Sequence, residues 1–239
     1  MIVLAVLALG GIIFAVSLAP EGGSGTYDAN ASFDDGNDPI FGNNEADVVI
    51  RIFEDFQCPA CAVAAPGLKY VRDTYGDRVK VVWNDFPLTS LHPNAIPSAN
   101  AARCANEQGG FWEYADTLYE QQTMWSEVRD PSELFIAYAK SLGMNEAAFT
   151  VCLDERRYND RVMRDAAEAN ANRIDSTPTF FINQTKHTGA FTPAQWDELL
   201  KPYLGEVSEP APVEDQPALD LDAEGAFDTG DGNEDATDL

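Results

Sequence analysis

Residues 53–66 read FEDFQCPACAVAAP and hold two cysteines, Cys58 and Cys61, spaced C-x-x-C. Such a pair can supply half of a metal site, close a small bridge or exchange electrons with another thiol pair. Immediately upstream, residues 47–53 (DVVIRIF) are β-branched and apolar, which predicts a buried strand. Downstream the pattern is helical to about Tyr75. The pair therefore falls where a strand turns into a helix. Pro59 takes the first helical position, where its missing N–H costs nothing and its φ is already set. Cys58 then occupies the N-cap, with its sulfur facing the free N–H groups of Ala60 and Cys61. A thiolate accepts such bonds better than a thiol. The helix dipole adds about 0.3–1 kcal/mol, which corresponds to lowering the Cys58 pKa by up to about one pH unit. Cys58 is expected to be a reactive thiolate. Cys61, one turn inside, is expected to be less exposed and placed to attack a mixed disulfide at Cys58.

The other uses of the pair fare worse. A structural zinc site takes four ligands, often two C-x-x-C pairs. Here Cys104 and Cys152 stand alone in helical stretches, and His92 and His187 are not in a paired spacing. No metal or cofactor is expected. A purely structural Cys58–Cys61 bridge closes too short a loop to contribute much stability.

Residues 78–86 (RVKVVWNDF) read as a second strand, and residues from about 93 to 173 as a block of helices, in which 145–172 read as one helical stretch. In that block Asp130 is a candidate N-cap, Pro131 the first helical position and Gly143 a stop. Residues 177–183 (TPTFFIN) and 186–191 (KHTGAF) read as a hairpin. Residues 192–204 close with a helix that Thr192 caps and Pro193 starts. A further short strand near Pro39–Phe41 would complete an α/β sheet with layered helices.

The flanks differ from this unit. Residues 1–19 carry no charge and, as a helix, span about 28 Å, close to the ~30 Å core of a bilayer. They are expected to be an uncleaved membrane anchor, with a cleaved signal segment as the alternative. Residues 20–45 read as a flexible acidic linker, residues 46–205 as the folded domain, and residues 206–239 as a disordered acidic tail. The net charge is −25, yet all 15 basic residues lie in the folded unit beside 22 acidic ones. No basic stripe is available for phosphates, so no nucleic-acid partner is expected. Five lysines against 23 aspartates suggest a high-salt habitat.

Taken in order, these segments resemble the DsbA-like thiol–disulfide oxidoreductases of the thioredoxin superfamily. The resemblance covers about 40–204. It rests on DFQCPAC, on Pro66 five residues after Cys61, on NDFPLTSLHPNA, on CANEQGGFWEYADTLYE and on STPTFFIN. It implies a thioredoxin fold with a helical insertion, about 93–173, between its βαβ and ββα halves. It also implies a cis Thr177–Pro178 bond facing the active site, with the Thr177 backbone free to pair with an incoming peptide.

Two departures bear on direction. The residues between the cysteines are Pro59 and Ala60, where the strongest oxidants of the family have Pro-His, and alanine offers the thiolate no side-chain donor. Many relatives carry a buried acid six residues before the first cysteine. Here that position is Ile52, with Glu54 and Asp55 nearby at other register positions. Cys104 and Cys152 fall in insertion helices, either as a structural disulfide or as two buried apolar thiols. His92 is read as part of the turn before the insertion, and His187 as a solvated hairpin residue. Phe111, Trp112, Tyr114, Leu118 and Tyr119 are read as packing residues. The sequons at Asn30 and Asn183 carry little weight.

The expected function is a membrane-tethered extracytoplasmic oxidoreductase exchanging disulfides with protein or peptide thiols, in the oxidising direction, with a membrane redox partner to recharge it. The alternatives are a reductase or isomerase on the same scaffold, and a peptide-binding chaperone.

Overall fold

The computed structural model describes residues 38–205. The expected anchor at 1–19, the tail at 206–239 and the Asn30 sequon lie outside them. A five-stranded sheet runs in the order β1-β3-β2-β4-β5, with β1 Ile40–Gly42, β2 Val49–Glu54, β3 Lys80–Asp85, β4 Thr179–Ile182 and β5 Thr185–Thr188. The central pair β2 and β3 is parallel, and the other pairings are antiparallel. Helix α1 (Pro59–Tyr75) crosses between β2 and β3. The insertion supplies α2 (Ala95–Asn106), α3 (Phe111–Glu120), α4 (Gln122–Trp125), α5 (Ser132–Ser141), α6 (Glu146–Asp154) and α7 (Asn159–Ala171), and α8 (Pro193–Leu204) closes the domain. This is the expected α/β thioredoxin arrangement with a helical insertion.

All six residues of β2 are buried, because both faces of the sheet are covered. Ile50 and Ile52 point into the larger core with α1, α8 and most of the insertion. Val49 and Phe53 point the other way, toward Ala166 and Ala169 of α7. Gly67 lets α1 close on the segment before α8, since a Cβ there would meet the Phe191 carbonyl oxygen at 2.1 Å. Helix α8 starts with the expected Thr192 cap and Pro193, and Gln195 completes a capping box.

Four local expectations are corrected. The folded chain does not start at residue 46. Ile40–Gly42 pairs with β3, and Asp38, assigned to the flexible linker, is buried among Arg51, Arg103 and Arg161. Helix α5 begins at Ser132 with Pro131 as the residue before it, and Asp130 instead accepts the Ser132 N–H. The stretch 145–172 breaks into two helices, with Arg156 at a φ of 50° between them. His187 is half-buried against Phe191 rather than fully solvated. Asn183 takes the positive-φ turn position between β4 and β5, and its side-chain oxygen accepts the Val49 N–H, so this sequon's amide is already engaged.

Among the described residues no helix is long and apolar enough to cross a membrane.

Candidate active site

The end of β2 and the start of α1 bring the two cysteines to the C-terminal end of the sheet's central strand. Cys58 is the residue before the helix and Pro59 its first residue. Both thiols are free, with Cys58 8% exposed and Cys61 fully buried. Cys58 is thus the more accessible of the two, although less open than a surface nucleophile. Pro59 and Ala60 are exposed beside it. Pro66 lies inside α1 and cannot donate to the Ala62 carbonyl four residues back.

The expected sulfur cap is only partly realised. No hydrogen bond from the Cys58 side chain caps the helix, and the Cys61 N–H donates instead to the Cys58 carbonyl at 3.1 Å. The thiol is nevertheless lowered to about 5. The largest cause is the hydrogen bond from the Cys61 thiol. Burial opposes it, and the Thr177 side chain and the N–H groups of Cys61 and Ala60 add smaller stabilisation of the thiolate. Cys61 is driven well above its ordinary value, first by burial, then by its hydrogen bond to Cys58 and by the charges of Glu54 and Cys58.

The facing wall is the start of β4. The Thr177–Pro178 bond is cis, and the Cys58 thiol lies 3.7 Å from the Thr177 carbonyl oxygen. The Thr177 hydroxyl is buried with no hydrogen-bond partner among the described residues. The insertion holds the active-site loop from the other side. Gln122 of α4 donates to the carbonyls of Phe56 and Cys58 at 2.7 and 3.0 Å. Gln57 donates to the Ser126 carbonyl and accepts the Asn94 N–H. Phe56 stacks on Trp83 with ring centroids 4.6 Å apart.

Ile52 offers no acid, and the buried carboxyl of this strand is Glu54. This carboxyl is 1% exposed and is lifted to about 8, mainly by burial, against the opposing hydrogen bond from Tyr119. Glu54 occupies a different register position, opposite Asp85 rather than Trp83, but lies two residues beyond Ile52 and so shares its face of β2. Asp55 has another task. Its carboxylate accepts the Gln57 and Leu88 N–H groups and contacts His92 Nδ1 at 2.7 Å. His92 thereby ties the turn before the insertion to the active-site loop.

The family model described as thioredoxin matches residues 34–202. The chain belongs to the thioredoxin family. Its form of the thioredoxin fold is DsbA-like. Oxidised BdbD from Bacillus subtilis superimposes with a TM-score of 0.63 at 20% identity, covering 71% of this chain and 94% of that one. The alpha-DsbA1 of Wolbachia pipientis gives a TM-score of 0.63 at 19% identity, covering 71% and 92%. Among curated proteins, Na(+)/H(+) antiporter NhaA 3 of Salinispora tropica is 36% identical over 167 residues, 70% of this chain and 25% of that protein. Antiporter NhaA 1 of Mycolicibacterium vanbaalenii is 34% identical over 161 residues, again 25% of its length. The chain spans about a quarter of these relatives.

Within this thioredoxin fold the insertion carries a second sulfur pair. Cys104 of α2 and Cys152 of α6 are joined at 2.04 Å, 48 residues apart in sequence, and both are fully buried. Tyr119 and Gln122 are the site residues that sequence reasoning did not assign, and it left Glu54 level with Asp55 as a substitute for the acid. For Glu54 the available signal was its strand parity with Ile52.

Proposed function

We propose that the chain is a membrane-tethered thiol–disulfide oxidoreductase working on the extracytoplasmic side, with Cys58 as nucleophile and Cys61 as resolving thiol. The observation that carries this reading is the placement of the two thiols, Cys58 just before the first turn of α1 with its sulfur 3.7 Å from the Thr177 carbonyl oxygen and Cys61 fully buried. In keeping with it, Cys58 is lowered to about 5 and Cys61 raised. A value of about 5 lies between the ~3.5 of a strong oxidant and the ~7 of thioredoxin. A stabilised thiolate favours the reduced enzyme, which is the product when a disulfide is donated, and this supports the oxidising direction.

In that direction a substrate thiolate attacks Cys58 Sγ. The Cys58–Cys61 bond breaks, and Cys61 leaves with the electron pair and takes a proton from Glu54. A second substrate thiolate then attacks the substrate sulfur of the mixed disulfide, and Cys58 leaves as a thiolate. The substrate gains one disulfide and loses two electrons, which the enzyme dithiol carries to a membrane redox partner. Reduction of a substrate disulfide runs the same steps backwards, with Glu54 accepting the Cys61 proton.

The backbone at Thr177, beside the Cys58 sulfur, supports docking of an extended protein or peptide substrate there. The Cys104–Cys152 disulfide supports an oxidising compartment, and the uncharged residues 1–19 support a tether. The lysine-poor acidic composition supports work at high salt.

Ala60, with no side chain to hold the thiolate, favours a second reading as reductase or isomerase. The reduction potential of the Cys58–Cys61 pair decides between them. A value well above the roughly −270 mV of thioredoxin supports disulfide donation, and a value near it overturns the direction. Oxidation of a reduced protein substrate that continues unchanged in Cys58→Ser would remove the redox mechanism and leave peptide binding.

A further inference from the structure

The hydroxyls of two tyrosines on α3 are both buried, yet they serve different acceptors. Tyr114 donates to the Phe135 carbonyl at 2.9 Å, an ordinary way to satisfy a buried phenol. Tyr119 donates to Glu54 Oε2 at 2.8 Å. The other Glu54 oxygen, Oε1, has no hydrogen-bond partner among the described residues. Tyr119 is thus the hydrogen-bond donor to a carboxyl that burial would otherwise hold protonated.

The charged and titratable groups around this carboxyl come from three places. Helix α1 and its N-cap supply Cys61, Arg72 and Cys58, and α3 supplies Tyr119. Asp55, on the loop after β2, acts on the Tyr119 phenol. Burial and the Cys58 charge favour the neutral carboxyl, while Tyr119 and, more weakly, Arg72 favour the carboxylate. A group that must both give and take the Cys61 proton needs those influences to balance near the working pH.

We propose that Tyr119 is the positioning residue of the active-site acid, holding Glu54 in a state from which it can both donate a proton to Cys61 and accept one. The proposal rests on the reading of Cys58 and Cys61 as a redox pair with Glu54 as their acid. In that scheme Tyr119 exchanges no proton with either sulfur and acts through its hydrogen bond to the carboxyl, although Cys61 also lies within electrostatic reach of the phenol. Without the phenol Glu54 stays protonated to higher pH, and the Cys61 thiol finds no acceptor in the neutral range.

The test follows attack of Cys61 on a preformed Cys58–glutathione mixed disulfide, as a function of pH, in the full chain. Glu54→Gln should slow the step and remove the limb that the carboxyl contributes. Tyr119→Phe should keep that limb and move its midpoint up by about one to two pH units. The double variant should behave as Glu54→Gln alone. In parallel, the infrared carboxyl band that disappears in Glu54→Gln should titrate at higher pH in Tyr119→Phe. Should Tyr119→Phe fail to fold, site-specific replacement of Tyr119 by a fluorotyrosine keeps the shape and strengthens the donor, and the midpoint should then move down. A Tyr119 variant that follows the wild-type profile while Glu54→Gln departs from it overturns the proposal and leaves the reading of Glu54 standing. A Glu54→Gln profile that superimposes on wild type removes that reading, and the role of Tyr119 with it.

Discussion

Cys58 and Cys61 share one helix end, yet the first thiol is lowered to about 5 while its neighbour is driven up. Their mutual hydrogen bond stabilises the Cys58 thiolate and the Cys61 thiol together. The reduced protein should therefore show one thiolate at neutral pH. Its 240 nm absorbance should titrate with a midpoint near pH 5 and vanish in Cys58→Ser. Alkylation at pH 6 should mark Cys58 ahead of Cys61. A midpoint above 8 would mean that the Cys61 thiol, Thr177 and the helix start do little for the sulfur. The sign for stability follows from a depressed pKa: the reduced form gains stability that grows as pH rises from about 5 toward the ordinary value of 9.0. The gap in stability between reduced and oxidised protein should widen over that window.

Glu54 acts in the opposite sense. Its value is raised from 4.5 to about 8, so folding favours the protonated carboxyl. Its contribution is intact below pH 4.5 and is lost as pH rises through 8. In urea unfolding of the reduced protein between pH 5 and 8, the gain in stability from Cys58 should be offset more in the wild type than in Glu54→Gln. Parallel curves would count against a buried, proton-holding carboxyl.

The Cys104–Cys152 bridge joins α2 to α6 across 48 residues. In the chain-entropy picture a loop of that length stabilises by about 4 kcal/mol. Replacing both cysteines by alanine should lower the unfolding free energy by about that amount while the Cys58 titration stays in place. Loss of the Cys58 midpoint would show that the two sites are coupled.

Asp38 meets Arg161 and Arg103 of the insertion and Arg51 of β2. Removing one partner of a buried ion cluster costs about 3–5 kcal/mol, because the others stay buried without it. Asp38→Ala should show a loss of that order in denaturant unfolding. A chain begun at residue 46 should be less stable than one begun at residue 38, since it lacks both this carboxylate and β1. Equal stabilities would restore the boundary that composition suggests.

The contrast between Asp38 and Cys58 shows what the sequence makes legible. A strand of β-branched residues, a C-x-x-C and a proline at the helix start are local signals, and each defines geometry within a few residues. Thr192 and Pro193 worked in the same way at α8. Asp38 becomes structural only through arginines 13, 65 and 123 residues further along the chain. Nothing in its immediate surroundings separates it from the other acids of an acidic stretch. Glu54 lies between these cases. Counting back from the cysteine selected Ile52, whereas the two-residue period of a strand places Ile52 and Glu54 on one face. The phenol that completes the acid comes from α3, so Tyr119 was read as packing alone. The break at Arg156 escaped notice because the residues on both sides carry helical patterns.

The buried Cys104–Cys152 bridge gives the chain two sulfur couples of unlike character. Cys58 keeps a solvent-facing sliver, but neither sulfur of the second couple has any, so a reductant must open the α2–α6 contact before it can strike. The folded domain consequently has an exchangeable capacity of two electrons, although its four cysteines would suggest four. Thiol counts taken after treatment with excess dithiol reductant, once on the folded and once on the unfolded protein, should differ by the two sulfurs of this bridge, which makes the difference a direct gauge of whether the insertion is closed.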